Sequence, residues 1–112
     1  MTRYRCGDVI LVEVIFSEGI GAKKRPALIL SSDEYHKSRQ EIIIAAITSN
    51  IRRMLLGDSK IVEWKDAGLL YPSVVTGIMQ TIKARMAIRR LGELSKRDLQ
   101  LVKKNLSKAI VL

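Results

Sequence analysis

A small antiparallel β-sheet curled on itself, with one C-terminal helix packed against it, is the fold class this sequence predicts. Three observations predict it. Val- and Ile-rich runs recur between residues 7 and 92 at the lengths of short strands. Glycine-containing or highly charged segments separate them. Helical three- and four-residue spacing is firm only near the end of the chain. A chain of 112 residues is large enough for one core and too small for two, so residues 1–112 are expected to form a single domain.

The elements follow in order. "GDVILVEVIF" (7–16) is broken only by Glu13 and reads as a first strand buried on both faces over much of its length. "SEGIGAKK" (17–24) is a loop. "PALILS" (26–31) is a second strand, and Pro26, which lacks a ladder donor, is expected at its first position or on a sheet edge. In "SDEYHKSRQ" (32–40), Ser32 or Asp33 caps one short helical turn. "IIIAAITS" (42–49) is almost wholly apolar and predicts a central strand. A second long loop covers 50–59 and turns at Gly57-Asp58. "KIVEW" (60–64) reads as a short strand and "KDAGLL" (65–70) as a turn or single helical turn. "PSVVTGIMQTI" (72–82) reads as a strand bent or bulged at Gly77, and "ARMAIRRLG" (84–92) as a last strand or irregular segment. Ser95 with Asp98 gives a capping-box-like helix start, after which Leu99, Val102, Leu106 and Ala109 or Ile110 share one face. Arg97, Leu101, Lys104 and Lys108 line another stripe.

Composition narrows the function. Hydrophobic content of 47% with 28% charged residues is that of a globular chain. No apolar run reaches the roughly 18–20 residues of a membrane span, and charges at Arg3, Arg5 and Asp8 interrupt any signal peptide. The single cysteine, Cys6, forms no internal disulfide, so a reducing, cytoplasmic setting is expected. Net charge is +9, and +7 of it lies in residues 83–112, which favours a polyanionic partner such as nucleic acid.

Several chemistries lack their motifs. No phosphate-cradling glycine loop occurs, so no nucleotide cofactor is expected. One His and one Cys leave no transition-metal shell. Aromatics at 4% argue against an RNA-stacking sheet. What remains is a cluster of cations and hydroxyls at strand ends. Lys23, Lys24 and Arg25 precede the second strand, and Thr48, Ser49 and Asn50 follow the third. If those strands are antiparallel neighbours, Arg25 and Thr48 converge on one rim of the sheet. A planar fork of donors beside a hydroxyl is what a phosphate group needs.

The stretches "GDVILVEV", "RPALILSSDEY", "IIIAAITSNI", "GLLYPSVV" and "TIKARM" with "RRLGELS", in this order and spacing, resemble the MazF/PemK-type toxins. The resemblance implies an SH3-like barrel with a C-terminal helix, working as a homodimer without a metal or cofactor. It also implies cleavage of single-stranded RNA at short sequence motifs, and a cognate antitoxin protein as partner. The arginine of R-P and the threonine of I-T-S, the family's active-site pair, fall on Arg25 and Thr48.

Around that pair, Lys23, Lys24, Arg52 and Arg53 are expected to seat the RNA backbone, with Ser49 and Asn50 adding donors and Ser73 and Gln80 near the groove. Phe16, at a strand–loop junction, reads as core or as a stacking ring. His36, the one side chain with an ordinary pKa near neutrality, and Glu18, the nearest carboxylate in sequence, are the candidates for proton transfer. The polar turn around His36 implies a solvated ring. Three departures stand out: the compact loop "SEGIGAKK", His36 where relatives often carry asparagine, and "TGIMQTIK", which lacks the family's acidic residue before glutamine. The last keeps two alternatives open, a non-catalytic barrel that binds RNA or protein and a gyrase-poison-like toxin of the same fold.

Overall fold

A computed structural model of the chain describes residues 4–15 and 22–112. Its elements are β1 (Asp8–Ile15), β2 (Ala22–Ile29), α1 (Asp33–Ser38), β3 (Glu41–Thr48), β4 (Ser59–Lys60), β5 (Val74–Lys83), a 3₁₀ turn (Ala84–Met86), β6 (Ala87–Glu93) and α2 (Lys96–Leu106). The strands form one antiparallel sheet in the order β4-β5-β3-β2-β1-β6, open between β4 and β6. It is the barrel-like sheet with a C-terminal helix that the sequence predicts. Among the described residues, no helix is long and apolar enough to cross a membrane.

Alternation along the central strands feeds two apolar clusters, one on each face of the sheet. Val9, Leu28, Ala45, Ile47 and Val75 point to one face, where Ile61, Ala67 and Leu69 and the α2 residues Val102 and Leu106 cover them. Ile10, Val12, Ala27, Ile29, Ile42 and Ile44 point to the other, covered by Tyr4, Ile82, Ala84 and Ala87. This explains why the first and third strands read as nearly unbroken apolar runs: both of their faces are buried.

Two predicted strands need correction. The second begins at Ala22 rather than Pro26, because Lys23, Lys24 and Arg25 lie opposite Val14, Glu13 and Val12 of β1. Pro26 is therefore inside the strand. Its missing donor is accommodated because the ladder from β2 to β3 starts only at Ala27, so β2 is paired on one side at the proline. Of "KIVEW" only Lys60 is strand, as the last residue of β4. Pairing with β5 stops at Lys60, and Asp98 of α2 accepts the N–H groups of Val62 at 3.1 Å and Glu63 at 2.9 Å. Their donors go to a carboxylate rather than to a ladder. The turn that follows, residues 62–68, presses on β6. A Cβ on Gly68, whose φ is +82°, would lie 2.1 Å from the Leu91 carbonyl oxygen, and one on Gly92 would lie 2.5 Å from that of Ala67. Only glycine fits at both positions.

Helix starts follow the sequence. Ser32 caps α1 by accepting from Tyr35 N, and Ser95 caps α2 by accepting from Asp98 N, each at 3.1 Å. Ala109 and Ile110 lie past the end of α2. The strand expected over 84–92 divides into the 3₁₀ turn and β6.

Candidate active site at the strand ends

The β2–β3 register decides the geometry. Ala27, Leu28 and Ile29 face Ala46, Ala45 and Ile44. Continued two steps, it sets Arg25 level with Thr48. By alternation both side chains belong to the face that also carries Ala27 and Ala46. Lys23 shares that face. Lys24, opposite Glu13, belongs to the other.

Thr48 ends β3 and begins a loop that its own hydroxyl organises. Asn50 N donates to Thr48 Oγ1 at 3.1 Å, and Arg52 N donates to Asn50 Oδ1 at 3.3 Å. These two side chain–backbone turns fold the loop without a regular element. Because Thr48 Oγ1 accepts here, its hydrogen is free to be donated elsewhere.

The other wall of the site is the bulge in β5. Partners of β5 jump from Ala45↔Met79 to Ile47↔Val75, so Thr76, Gly77 and Ile78 crowd the space opposite Ala46. Thr76 Oγ1 donates to the Ala46 carbonyl at 2.7 Å. Asp58 then ties loop to bulge, accepting from Leu55 N at 2.9 Å and from Gly77 N at 2.8 Å. The result is a groove of about 440 Å³ lined by Thr48, Asn50, Arg53, Leu55, Leu56, Asp58 and the bulge residues. Its rim is apolar, with Leu56 73% and Ile78 61% exposed. A hydroxyl, a guanidinium and apolar edges suit a ligand that carries both phosphate and base.

The other expected site residues fall in several places. Ser49, Arg52 and Arg53 are exposed on the loop. Gln80 is exposed and opposite Ile44, hence on the Arg25–Thr48 face. Ser73 is buried and donates its hydroxyl to the Tyr71 carbonyl at 2.7 Å. His36 is 4% exposed, not the solvated ring that its polar turn implied. Its Nε2 meets the Ser31 hydroxyl, which also accepts from Ile43 N at 3.0 Å. It lines a larger cavity, about 910 Å³, near the Glu41 end of β3. Seven residue steps, about 23 Å of strand, separate Glu41 from Thr48. Glu18 and Phe16 lie outside the described residues. Among the described residues, no group of three or more His, Cys, Asp or Glu is placed to hold a metal ion.

Sequence reasoning missed Asp58 and Thr76. Asp58 read only as half of a Gly-Asp turn, and Thr76 as a strand residue. The one available signal was Gly77, which marked the bulge that both of them serve.

A family model matches residues 5–110 and is described as PemK-like, MazF-like toxin of type II toxin-antitoxin system. Solved structures are similar over nearly the whole chain. The Mycobacterium tuberculosis toxin MazF-mt6 has a TM-score of 0.73 and 25% identity, covering 91% of this chain and 94% of its own. An endoribonuclease in complex with its cognate antitoxin from a Mycobacterial species has a TM-score of 0.75 and 19% identity, covering 95% and 93%. A MazE-MazF crystal structure from Deinococcus radiodurans has a TM-score of 0.77 and 18% identity, covering 96% of each chain. At such identities the last two speak for the fold alone. No curated protein matches the chain.

Proposed function

The chain belongs to the PemK-like, MazF-like toxins of type II toxin–antitoxin systems, and from that membership we propose that it is an endoribonuclease cleaving single-stranded RNA at short sequence motifs. The observation that supports this reading is the antiparallel β2–β3 register, which, continued two steps beyond Ala27↔Ala46, brings Arg25 level with Thr48. In the proposed reaction the ribose 2′-oxygen attacks the adjacent phosphorus and the bond to the 5′-oxygen breaks. The 2′-hydroxyl gives up its proton and the leaving oxygen takes one. The products are a 2′,3′-cyclic phosphate and a 5′-hydroxyl.

Arg25 stabilises the charge that builds on the phosphoryl oxygens. One preorganised donor of this kind is worth about 10²–10³ in kcat. Its guanidinium stays protonated at working pH and is a poor proton shuttle. Thr48 donates its free hydrogen to a phosphoryl oxygen. Lys23, Arg52 and Arg53 seat the backbone, with Ser49, Asn50 and Gln80 adding polar contacts, while Lys24, on the other face, is given no part in it. His36, at the far end of β3, is given no proton-transfer role. The partners proposed are a second copy of the chain and a cognate antitoxin, acidic enough to complement a net charge of +9. The setting proposed is the cytoplasm, where mRNA is found.

In the test, the full chain cuts single-stranded RNA in EDTA and leaves those two termini. Arg25→Ala loses at least about 10²-fold in kcat with its melting temperature nearly unchanged, since Arg25 is exposed. Cutting by that variant at the wild-type rate shows the assignment to be wrong.

One observation favours a second reading, RNA binding without cleavage. The carboxylate lining the Thr48 groove, that of Asp58, is already occupied by two backbone N–H groups. Retained binding with intact RNA across a diverse pool would establish that reading.

A further inference from the structure

We propose that the basic cavity between α1 and the end of β5 is a second phosphate-binding subsite, which takes the backbone of the RNA substrate beyond the scissile bond. The inference rests on the nuclease reading above and adds where the rest of the strand lies.

The cavity, about 910 Å³, is lined by Lys37, Arg39, Lys83 and Arg85 and, among the described residues, by no carboxylate. Two acids flank it: Glu13, which lines an adjoining hollow with Arg85 and Ala87, and Glu41. Glu41 Oε1 meets Arg39 Nε and Glu41 Oε2 meets Lys83 Nζ, both at 2.8 Å. One carboxylate thus bridges two of the cations, and even with Glu13 counted the four cations outnumber the two acids. The Arg39 guanidinium also lies 5.2 Å from the centre of the Tyr35 ring, which orients it further. An excess of positive charge in a concave surface attracts a multiply charged anion. Tyr4 adds an aromatic ring to the lining. A ring beside cations is the combination that holds a base together with its phosphate.

The cavity opens on the sheet face that also carries the proposed active site. Tyr4, Ala84 and Ala87, which line it, also cover the apolar cluster of Ile10, Val12, Ala27, Ile29, Ile42 and Ile44. Arg25 and Thr48 belong to that same sheet face, at the opposite end of β3. Gln80, exposed opposite Ile44, stands between the two ends. The span of β3, about 23 Å, suits several nucleotides, within the range of about 4–16 that a small barrel holds.

The test uses the full chain and RNA made uncleavable by 2′-O-methylation, with affinity followed by fluorescence anisotropy from about 50 to about 200 mM salt. Lys83→Gln with Arg85→Gln is compared with Lys96→Gln with Arg97→Gln, which removes the same charge from exposed positions on α2. Losing two phosphate contacts lowers the salt slope by about 1.4, so the affinity gap to wild type closes about sevenfold across that range. We expect this for the cavity variant on an RNA of about 12 nucleotides, within the range such folds hold, and not for the α2 variant. An RNA of about 4 nucleotides, the low end of that range, covers only the Arg25 end and should bind both variants alike. Equal slopes for cavity variant and wild type overturn the proposal, as does an equal drop in the α2 variant. A Glu-rich peptide that binds wild type but not the cavity variant, with RNA slopes unmoved, assigns the cavity to a protein partner and also overturns it. If wild type binds neither RNA, the nuclease reading itself fails.

Discussion

Asp58→Ala should loosen the groove beside Thr48 and the fold together, and the size of the effect can be worked out. Both oxygens of the Asp58 carboxylate accept backbone N–H groups, from Leu55 and Gly77. Hydrogen bonds to a charged group contribute about 1.5–3 kcal/mol each. Asp58 is only half-buried, so water can reach the freed donors and the lower end applies, about 3 kcal/mol for the pair. For 112 residues the unfolding entropy is about 0.24 kcal/mol per degree, which makes that loss about 12 °C in Tm. The bond from Asn105 Nδ2 to the Asp58 carbonyl, 3.2 Å, belongs to the backbone and survives the substitution. Asp58→Asn keeps one acceptor oxygen and should lose about half as much. Calorimetry gives Tm, and RNA cleavage assayed well below both transitions gives kcat/KM, which should fall as the loop wall relaxes. A variant that melts within about 3 °C of wild type, well under the loss worked out here, would refute the tethering argument. Unchanged kcat/KM despite the lower Tm would show that RNA does not use this groove.

Other consequences follow from buried or crowded positions. Asp98, 2% exposed, holds the N–H groups of Val62 and Glu63, so Asp98→Ala should cost about 4 kcal/mol in urea unfolding, against about 1 kcal/mol for the cap variant Ser95→Ala. Gly68→Ala drives a methyl group into the Leu91 carbonyl and should prevent the 62–68 turn from seating on β6, read as lost near-UV dichroism. Burial pushes the Cys6 thiol above its ordinary pKa, more than nearby Lys103 lowers it. Iodoacetamide should therefore alkylate it more slowly in the folded than in the unfolded chain near pH 8. The sign follows: the fold favours the neutral thiol, so this contribution is complete below the ordinary thiol pKa and is lost as pH rises through the raised folded value.

Elements with a strong local period were legible in the sequence. The first and third strands, the Ser32 turn, the bulge at Gly77 and the Ser95 helix all appear where the residues implied. Long-range partners decided the rest. Lys23 and Lys24 read as loop, and Arg25 as the residue before the strand, because cations have little strand preference, yet β1 supplies their cross-strand neighbours. Residues 61–64 read as strand because three of the four are apolar, yet a carboxylate 35 and 36 positions away in the chain takes two of their donors. The Arg25–Thr48 pairing needed an assumption about neighbouring strands, and the observed register agrees with it. Asp58 could not be found in the same way, since its task exists only once the bulge in β5 has formed. The burial of His36 depends on Ser31 reaching across to the Ile43 backbone, a contact with no sequence period.

The unladdered flank of β2 before Ala27 has a consequence for handling the protein. Among the described residues, Lys24 to Pro26 have no β3 partner, and a strand margin of that kind invites another chain to stack there, with lysines and a proline as the usual deterrent. Lys23, Lys24 and Pro26 therefore guard against self-association at the very segment that presents Arg25. Neutralising both lysines at once should promote clumping, so any drop in turnover after such a change must be read alongside light scattering.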